Sequence, residues 1–282
     1  MKSGLVLEGG GMKGVYTAGV IDVLVENNIE FDVSIGVSAG VAFGCNYKSK
    51  QIGRAIRYIL KYRHNWKFGS FRSWILTGNY FGQKFCYRDI PLKYDLFDKE
   101  TFKKNKNEFY AVATNLETGK AEYFKLTDGE DLDLRWIQAS ASVPILSRIQ
   151  KINGQKYLDG GMACSIPIYK SIELGCKKHL VVMTKPLEYS KDDAKFLPLI
   201  KLFYKKYPNF IDTCADCDNQ YHRELDKVLE CQKQGNAFII RPSRLVTINS
   251  AEKDLSKLKA LYELGREDTE KVLPQLKEFL AD

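Results

Sequence analysis

Gly36-Val37-Ser38-Ala39-Gly40, preceded by Phe31-Asp32-Val33-Ser34-Ile35 and followed by Val41-Ala42-Phe43, is the stretch on which the fold turns. Residues 31 to 36 read as a strand and 39 to 47 as a helix, so the serine falls in the bend between them. Small residues on either side permit a sharp strand-to-helix turn that pushes a hydroxyl outward, the arrangement of a nucleophile elbow. Upstream the same punctuation recurs, with a strand over 3 to 8 and an amphipathic helix from Val15 to Glu26. Downstream, strands are expected at 108 to 113, 120 to 125, 156 to 159, 179 to 184 and 237 to 241. Glu117-Thr118-Gly119 marks one turn, and Asn153-Gly154 reads as a hairpin. Ser165 reads as the N-cap of a helix over 166 to 174, with Pro167 in its first turn and Gly175 as its stop. The last third is mostly helical and charged, ending in two helices at about 252 to 265 and 268 to 280. Strands alternating with helices predict an α/β fold with a mainly parallel sheet, and 282 residues suffice for one or two domains.

Between the first strand and first helix lies Glu8-Gly9-Gly10-Gly11-Met12-Lys13-Gly14. Glycines let the backbone approach a ligand closely, and the N–H groups at the following helix start favour an anion. Gly9, Gly11 and Gly14 also satisfy G-x-G-x-x-G, the dinucleotide fingerprint. A ribose-binding acid should close the second strand, however, whereas Glu30 and Asp32 stand at its start and the strand ends in Gly36.

A serine nucleophile needs a base. The three histidines, His64, His179 and His222, occupy a basic aromatic stretch, the start of a buried strand and a charged late helix, and each reads as structural. Tyr157-Leu158-Asp159-Gly160-Gly161 offers another base, because an aspartate leaving a strand into paired glycines can approach a second segment closely enough to accept the Ser38 proton.

These motifs, with Ala139-Ser140-Ala141-Ser142-Val143-Pro144, follow one another in order over about residues 3 to 175, and the sequence resembles the bacterial patatin-like phospholipases. The resemblance implies a three-layer sandwich, with a catalytic core over 1 to 175 and the remainder of the fold plus a helical C-terminal region over 176 to 282. It implies a serine acyl hydrolase acting on carboxylic esters of fatty acyl lipids through a Ser38–Asp159 dyad. The oxyanion hole would come from the amides of Gly10, Gly11 and Met12. Gly9, Gly14, Gly36, Gly40, Gly160 and Gly161 are the motif glycines, and neither metal nor organic cofactor is implied. The alternative reading is a non-catalytic lipid- or nucleotide-binding module that retains the glycine loop.

The net charge of +8 is local. Residues 33 to 88 carry ten Lys or Arg, twelve aromatics and no acid, while the rest of the chain is near balance. Such a mixture suits an anionic membrane surface, with residues 48 to 88 as the contact. It equally suits a solvated basic helix over 50 to 64 that packs Ile52, Ile56, Ile59 and Leu60 on the core. No nucleic-acid motif accompanies the charge, so nucleic acid is not the expected partner. Phe196, Leu199, Ile200, Phe203, Tyr204 and Tyr207, interleaved with Lys201, Lys205 and Lys206, read as a lid, a membrane-facing helix or a core helix. Cys214 and Cys217 form a C-x-x-C without a second pair, so a metal site is not expected. With seven scattered cysteines, no apolar run of about 18 residues and an N-terminus entering a strand directly, the expected address is cytoplasmic, at most peripheral to a membrane. No pattern sets an oligomeric state.

Overall fold

Leu5, Val6 and Leu7 are fully buried, as are Val33, Ile35 and Val37, which requires cover on both faces of the strands that carry them. The computed structural model, which describes residues 1–186 and 196–281, supplies that cover. The chain runs Ser3–Leu7 (β1), Val15–Glu26 (α1), Val33–Val37 (β2), Ala39–Lys48 (α2), Arg54–Tyr62 (α3) and Phe71–Thr77 (α4). A π-helical segment over Phe85–Tyr94 follows, then Lys99–Lys104 (α5), Glu108–Asn115 (β3), Ala121–Leu126 (β4), Asp131–Ser140 (α6), Gln150–Ile152 (β5) and Gln155–Asp159 (β6). Ile168–Glu173 (α7), Lys178–Val182 (β7), Leu197–Phe203 (α8), Pro208–Lys233 (α9), Ala237–Ile240 (β8) and Leu255–Ala281 (α10) complete it.

Among the described residues eight strands form one mixed sheet. β3, β2, β1, β7 and β8 lie side by side and parallel, and β4, β5 and β6 add antiparallel pairings at one end. Leu5, Leu7, Leu180 and Val182 pack toward α1, α2 and α10, whereas Val6 and Val181 pack with Ile168 of α7 and Tyr221 and Val228 of α9. Alternate side chains thus meet helices on opposite faces, giving three layers. The chain leaves β1 for β2 on one side and later returns through β7 on the other. The glycine loop after β1 therefore stands at the topological switch point, where crevices open at the carboxyl ends of parallel strands.

One detail of pairing positions the site. β4 takes one edge of β3 from Phe109 to Thr114, while β2 pairs with Glu108 to Val112 and β6 with Ala113 to Asn115. A strand has only two edges, so β2 and β6 share the second one and their carboxyl ends meet there head to head. Val37 lies opposite Val112, and Asp159 lies opposite Ala113, one step on.

Two sequence expectations are corrected. Ser165 does not cap the helix after β6: α7 starts at Ile168 with Pro167 at its N-cap, while Ser165 donates its N–H to Glu224 and its hydroxyl to the Gly161 carbonyl. The C-terminus is one helix, α10, rather than two. Gly265, where the first of those two was expected to end, is a contact point, since a Cβ there would lie 2.2 Å from the Tyr16 carbonyl oxygen and one on Gly19 would lie 2.1 Å from that of Tyr262. The two glycines let α1 and α10 cross closely, and Tyr262 to Asp22 (2.7 Å) and a forked Arg266 to Glu26 pair flank the crossing.

Candidate active site

Ser38 has φ 52° and ψ −116°, a backbone state that L residues avoid, and occupies the N-cap of α2. The bend fits because its neighbours lack side chains: a Cβ on Gly36 would come within 2.6 Å of the Val41 nitrogen, and one on Gly40 within 2.4 Å of the Leu7 oxygen. The strain is held from outside. Ser38 N–H donates to Ser140 Oγ at 2.9 Å, and Asp159 N–H donates to the Ser142 carbonyl at 2.8 Å. The segment 139 to 144 thus clamps both residues at once.

Ser38 Oγ donates to Asp159 Oδ2 at 2.7 Å, and Asp159 Oδ1 accepts the Gly161 N–H at 2.8 Å. Only 8% of Ser38 and 3% of Asp159 is exposed. Gly160 lies against the Val112 carbonyl, where no Cβ would fit. The hydroxyl therefore points at one carboxylate oxygen while the other oxygen is fixed by the paired-glycine turn.

The glycine loop folds over the elbow, with Gly9 against Val37 and Ser38 and Gly14 against Ala39. The Gly10 and Gly11 N–H groups make no hydrogen bond among the described residues. Met12 differs from expectation: its N–H donates to the Ser250 carbonyl at 3.1 Å, because the segment at 249 to 252 closes over the loop where Gly11 turns with φ +57°. The free donors beside Ser38 are thus those of Gly10 and Gly11, reinforced by the positive end of the ten-residue α2.

Several supports carry no motif that sequence reasoning would single out. Glu8, fully buried, accepts from Thr184 N–H at 2.6 Å and Thr184 Oγ1 at 3.1 Å, and its other oxygen lies 3.4 Å from Lys185 Nζ. That cluster ties the root of the glycine loop to the end of β7. Glu224 on α9, also fully buried, accepts the N–H groups of Ser165 and Ile166 at 2.9 and 2.8 Å, and burial pushes its carboxyl above the usual range. An acid ending an apolar strand, as Glu8 does, was the one available signal; Glu224 looks like any charge on a long helix.

None of the histidines meets Ser38. His64 bonds the Lys253 carbonyl and His222 the Asp218 carbonyl. His179 lies near the opposite end of β7, bonded to Ser171 Oγ at 2.8 Å, and burial pushes its pKa down to about 4. Cys214 packs in the core with Phe210 and Leu158.

Two cavities meet at Ser38. One of about 130 Å³ runs inward between α2, α3, the π-helical segment and α6, past Met12, Phe43, Tyr58, Phe81 and Tyr87. The other, about 380 Å³, opens outward over Gly10, Gly11 and Asp159 between Phe71, Leu146 and Met162.

The family model described as patatin-like phospholipase matches residues 5–170, more than half of the chain, and a second model, Domain of unknown function (DUF6363), matches residues 207–281. The uncharacterized protein YjjU of Escherichia coli is 32% identical over 196 residues, which cover 64% of this chain and 52% of that protein. Lysophospholipase NTE1 of Kluyveromyces lactis is 26% identical over 277 residues, covering 93% of this chain and 18% of that protein. The chain thus spans about half the length of the first relative and less than a fifth of the second. Among solved structures, VipD from Legionella pneumophila aligns over 97% of this chain and 67% of its own, at 14% identity and a TM-score of 0.48. On the family match, which takes in the glycine loop, the elbow and the Asp-Gly-Gly turn, the chain belongs to the patatin-like phospholipase family.

Proposed function

We propose that the protein is a serine acyl hydrolase of the lipase or phospholipase A type, cleaving carboxylic esters of fatty acyl lipids with Ser38 as nucleophile and Asp159 as base. The observation that carries this reading is the 2.7 Å hydrogen bond from a strained, shielded serine to a carboxylate whose second oxygen is already fixed. A general base must lie within hydrogen-bond reach of the proton it takes, and this one does.

As Ser38 Oγ attacks the ester carbonyl, its proton passes to Asp159 Oδ2 and the carbonyl oxygen becomes an oxyanion. The Gly10 and Gly11 N–H groups and the α2 N-terminus stabilise that charge where water is largely excluded; one such donor is typically worth about 10²–10³ in rate. Collapse breaks the ester bond, and the leaving alcohol takes the proton from Asp159. Water then gives a proton to Asp159 while attacking the acyl-serine, the proton returns to Ser38 Oγ, and the fatty acid leaves.

The two cavities suit this division of the substrate. The inner one is apolar and near the size that takes up benzene in an engineered core, so it fits an acyl segment of about six carbons. The outer one, with Lys13 and Lys185 among its lining residues, fits the headgroup side. Among the described residues no helix is long and apolar enough to cross a membrane.

Fluorophosphonate labelling tests the reading against a binding module that keeps the loops without turnover. A hydrolase labels at Ser38, and Ser38→Ala abolishes the signal; a wild-type protein that never labels under conditions where it is folded contradicts the proposal.

A further inference from the structure

α4 and α8 each bury one side and leave the other uncovered. On α4, Ser73 is buried and its hydroxyl bonds the Asn79 carbonyl, while Phe71, Ile75 and Leu76 are 69%, 76% and 61% exposed. On α8, Ile200 packs with Tyr204 and Phe210 in the core, while Leu202 and Phe203 are each 65% exposed. Both helices are clamped to one turn. Trp74 Nε1 donates to the Ile145 carbonyl at 3.0 Å, Tyr204 OH accepts the Ile145 N–H at 2.9 Å, and Tyr80 N–H donates to the Leu146 carbonyl at 2.7 Å. Both helices are therefore fixed about the same turn, and the α4 and turn side of it borders the outer cavity, since Phe71 and Leu146 line the groove above Ser38. Several large apolar side chains left exposed beside a site are more than a solvated surface usually displays.

The charge around it is one-sided. Residues 66 to 88 and 194 to 211 contain no acid. Lys67, Arg72, Lys84, Arg148, Lys201, Lys205 and Lys206 make no ion pair among the described residues, so no acid there offsets the charge on this face. Apolar and indole side chains flanked by uncompensated cations match the acyl and headgroup layers of an anionic bilayer, where each basic residue raises affinity about fivefold. A second copy of the chain fits poorly, because a two-fold contact would set these cations against themselves.

We propose that the ridge formed by α4, the turn at 143 to 148 and α8 is the face on which the protein lies on an anionic phospholipid bilayer, so that the groove above Ser38 opens onto lipid. The proposal rests on the reading of that groove as a lipid-ester site and narrows the membrane contact expected from the sequence. Lys48, Arg54 and Arg63 in the 48 to 88 stretch are buried, and the contact shifts to α4 with the addition of α8.

The test separates binding from turnover. Ser38→Ala protein is sedimented with vesicles of phosphatidylcholine alone and of phosphatidylcholine with phosphatidylglycerol, at low and high salt, with and without Ile75→Glu and Phe203→Glu. Binding should favour the anionic vesicles, weaken with salt and fall at least about tenfold in the double-glutamate protein. On the Ser38 background of the native chain, the same two substitutions should leave hydrolysis of a water-soluble p-nitrophenyl ester unchanged, which also reports that the fold is intact. Equal binding to both vesicle types, or retained binding by the double variant, overturns the proposal. So does a concentration-dependent dimer that the two glutamates dissolve, which would assign the ridge to self-association. If the native chain binds vesicles as described yet never hydrolyses the soluble ester, the ridge stands and the hydrolase reading falls.

Discussion

α3 and α4 arise from the same acid-free stretch of sequence and dispose of their charges in opposite ways. On α3 and just after it, Arg54 and Arg63 turn inward. Arg54 donates to Asn46 and to the Asp95 carbonyl and lies 3.4 Å from the Asp95 carboxylate, to which exposed Arg57 also donates. Arg63, fully buried, donates to the carbonyls of Gly69, Ala251 and Glu252 and lies over Phe68 and Phe81. Since the neighbouring Ser250 carbonyl holds Met12, Arg63 supports the glycine loop from behind. α4 instead carries Arg72 outward over Trp66 and exposes its apolar side chains. A local lack of acids therefore does not mean a lack of partners: carbonyls and a carboxylate distant in sequence satisfy one set of cations, and solvent takes the other.

The largest effect should come from Arg63→Ala, which empties the space of a fully buried side chain and leaves three carbonyls without their donor, that of Gly69 in a buried bond. A loss of about 3–5 kcal/mol is expected by urea unfolding, together with reduced esterase activity as the segment at 249 to 252 loosens. A melt indistinguishable from the native chain would break the contrast. Arg54→Ala should cost about 2–4 kcal/mol by the same measurement, because Asp95 then remains shielded with only the exposed Arg57 as partner.

His179 sharpens the contrast as a third case, a basic group kept neutral inside. Its folded pKa of about 4 lies below the unfolded value near 6.5, so the unfolded chain binds the proton first. This contribution to stability is complete above about pH 6.5 and is lost as the pH falls through 4, amounting to at most about 3 kcal/mol. His179→Gln should flatten the stability profile over that window, and an unchanged slope between native and variant would remove the assignment. The smallest effect belongs to Arg72→Ala, within about 0.5 kcal/mol of the native stability, since its ring contact with Trp66 is at the surface.

Much of this architecture was legible because small residues mark it. Glycines bounded β1 and β2, and Asn153-Gly154 turns with φ 50° and 78° as a tight hairpin requires. The motifs supplied Ser38 and Asp159 as candidates. What brings them together, two strands sharing one edge of β3, is a long-range pairing that no local pattern encodes. α4 escaped for a different reason. Ser70 caps it by accepting the Ser73 N–H and Gly78 ends it in a left-handed turn, yet its apolar residues face outward, so a search for a helix with a buried apolar face passes over it. The π-helical segment, with Pro91 inside it, likewise has no periodicity to recognise. The bond of the Met12 amide could not be foreseen, because its partner, Ser250, comes from the far end of the chain.

The dyad itself is tested most directly by the turnover of a water-soluble p-nitrophenyl ester by Asp159→Asn, with Ser38→Ala beside it and circular dichroism to show that both fold. The account predicts a loss of at least about 10²–10⁴ in kcat for Asp159→Asn and no measurable turnover for Ser38→Ala. A folded Asp159→Asn protein with native kcat would contradict it.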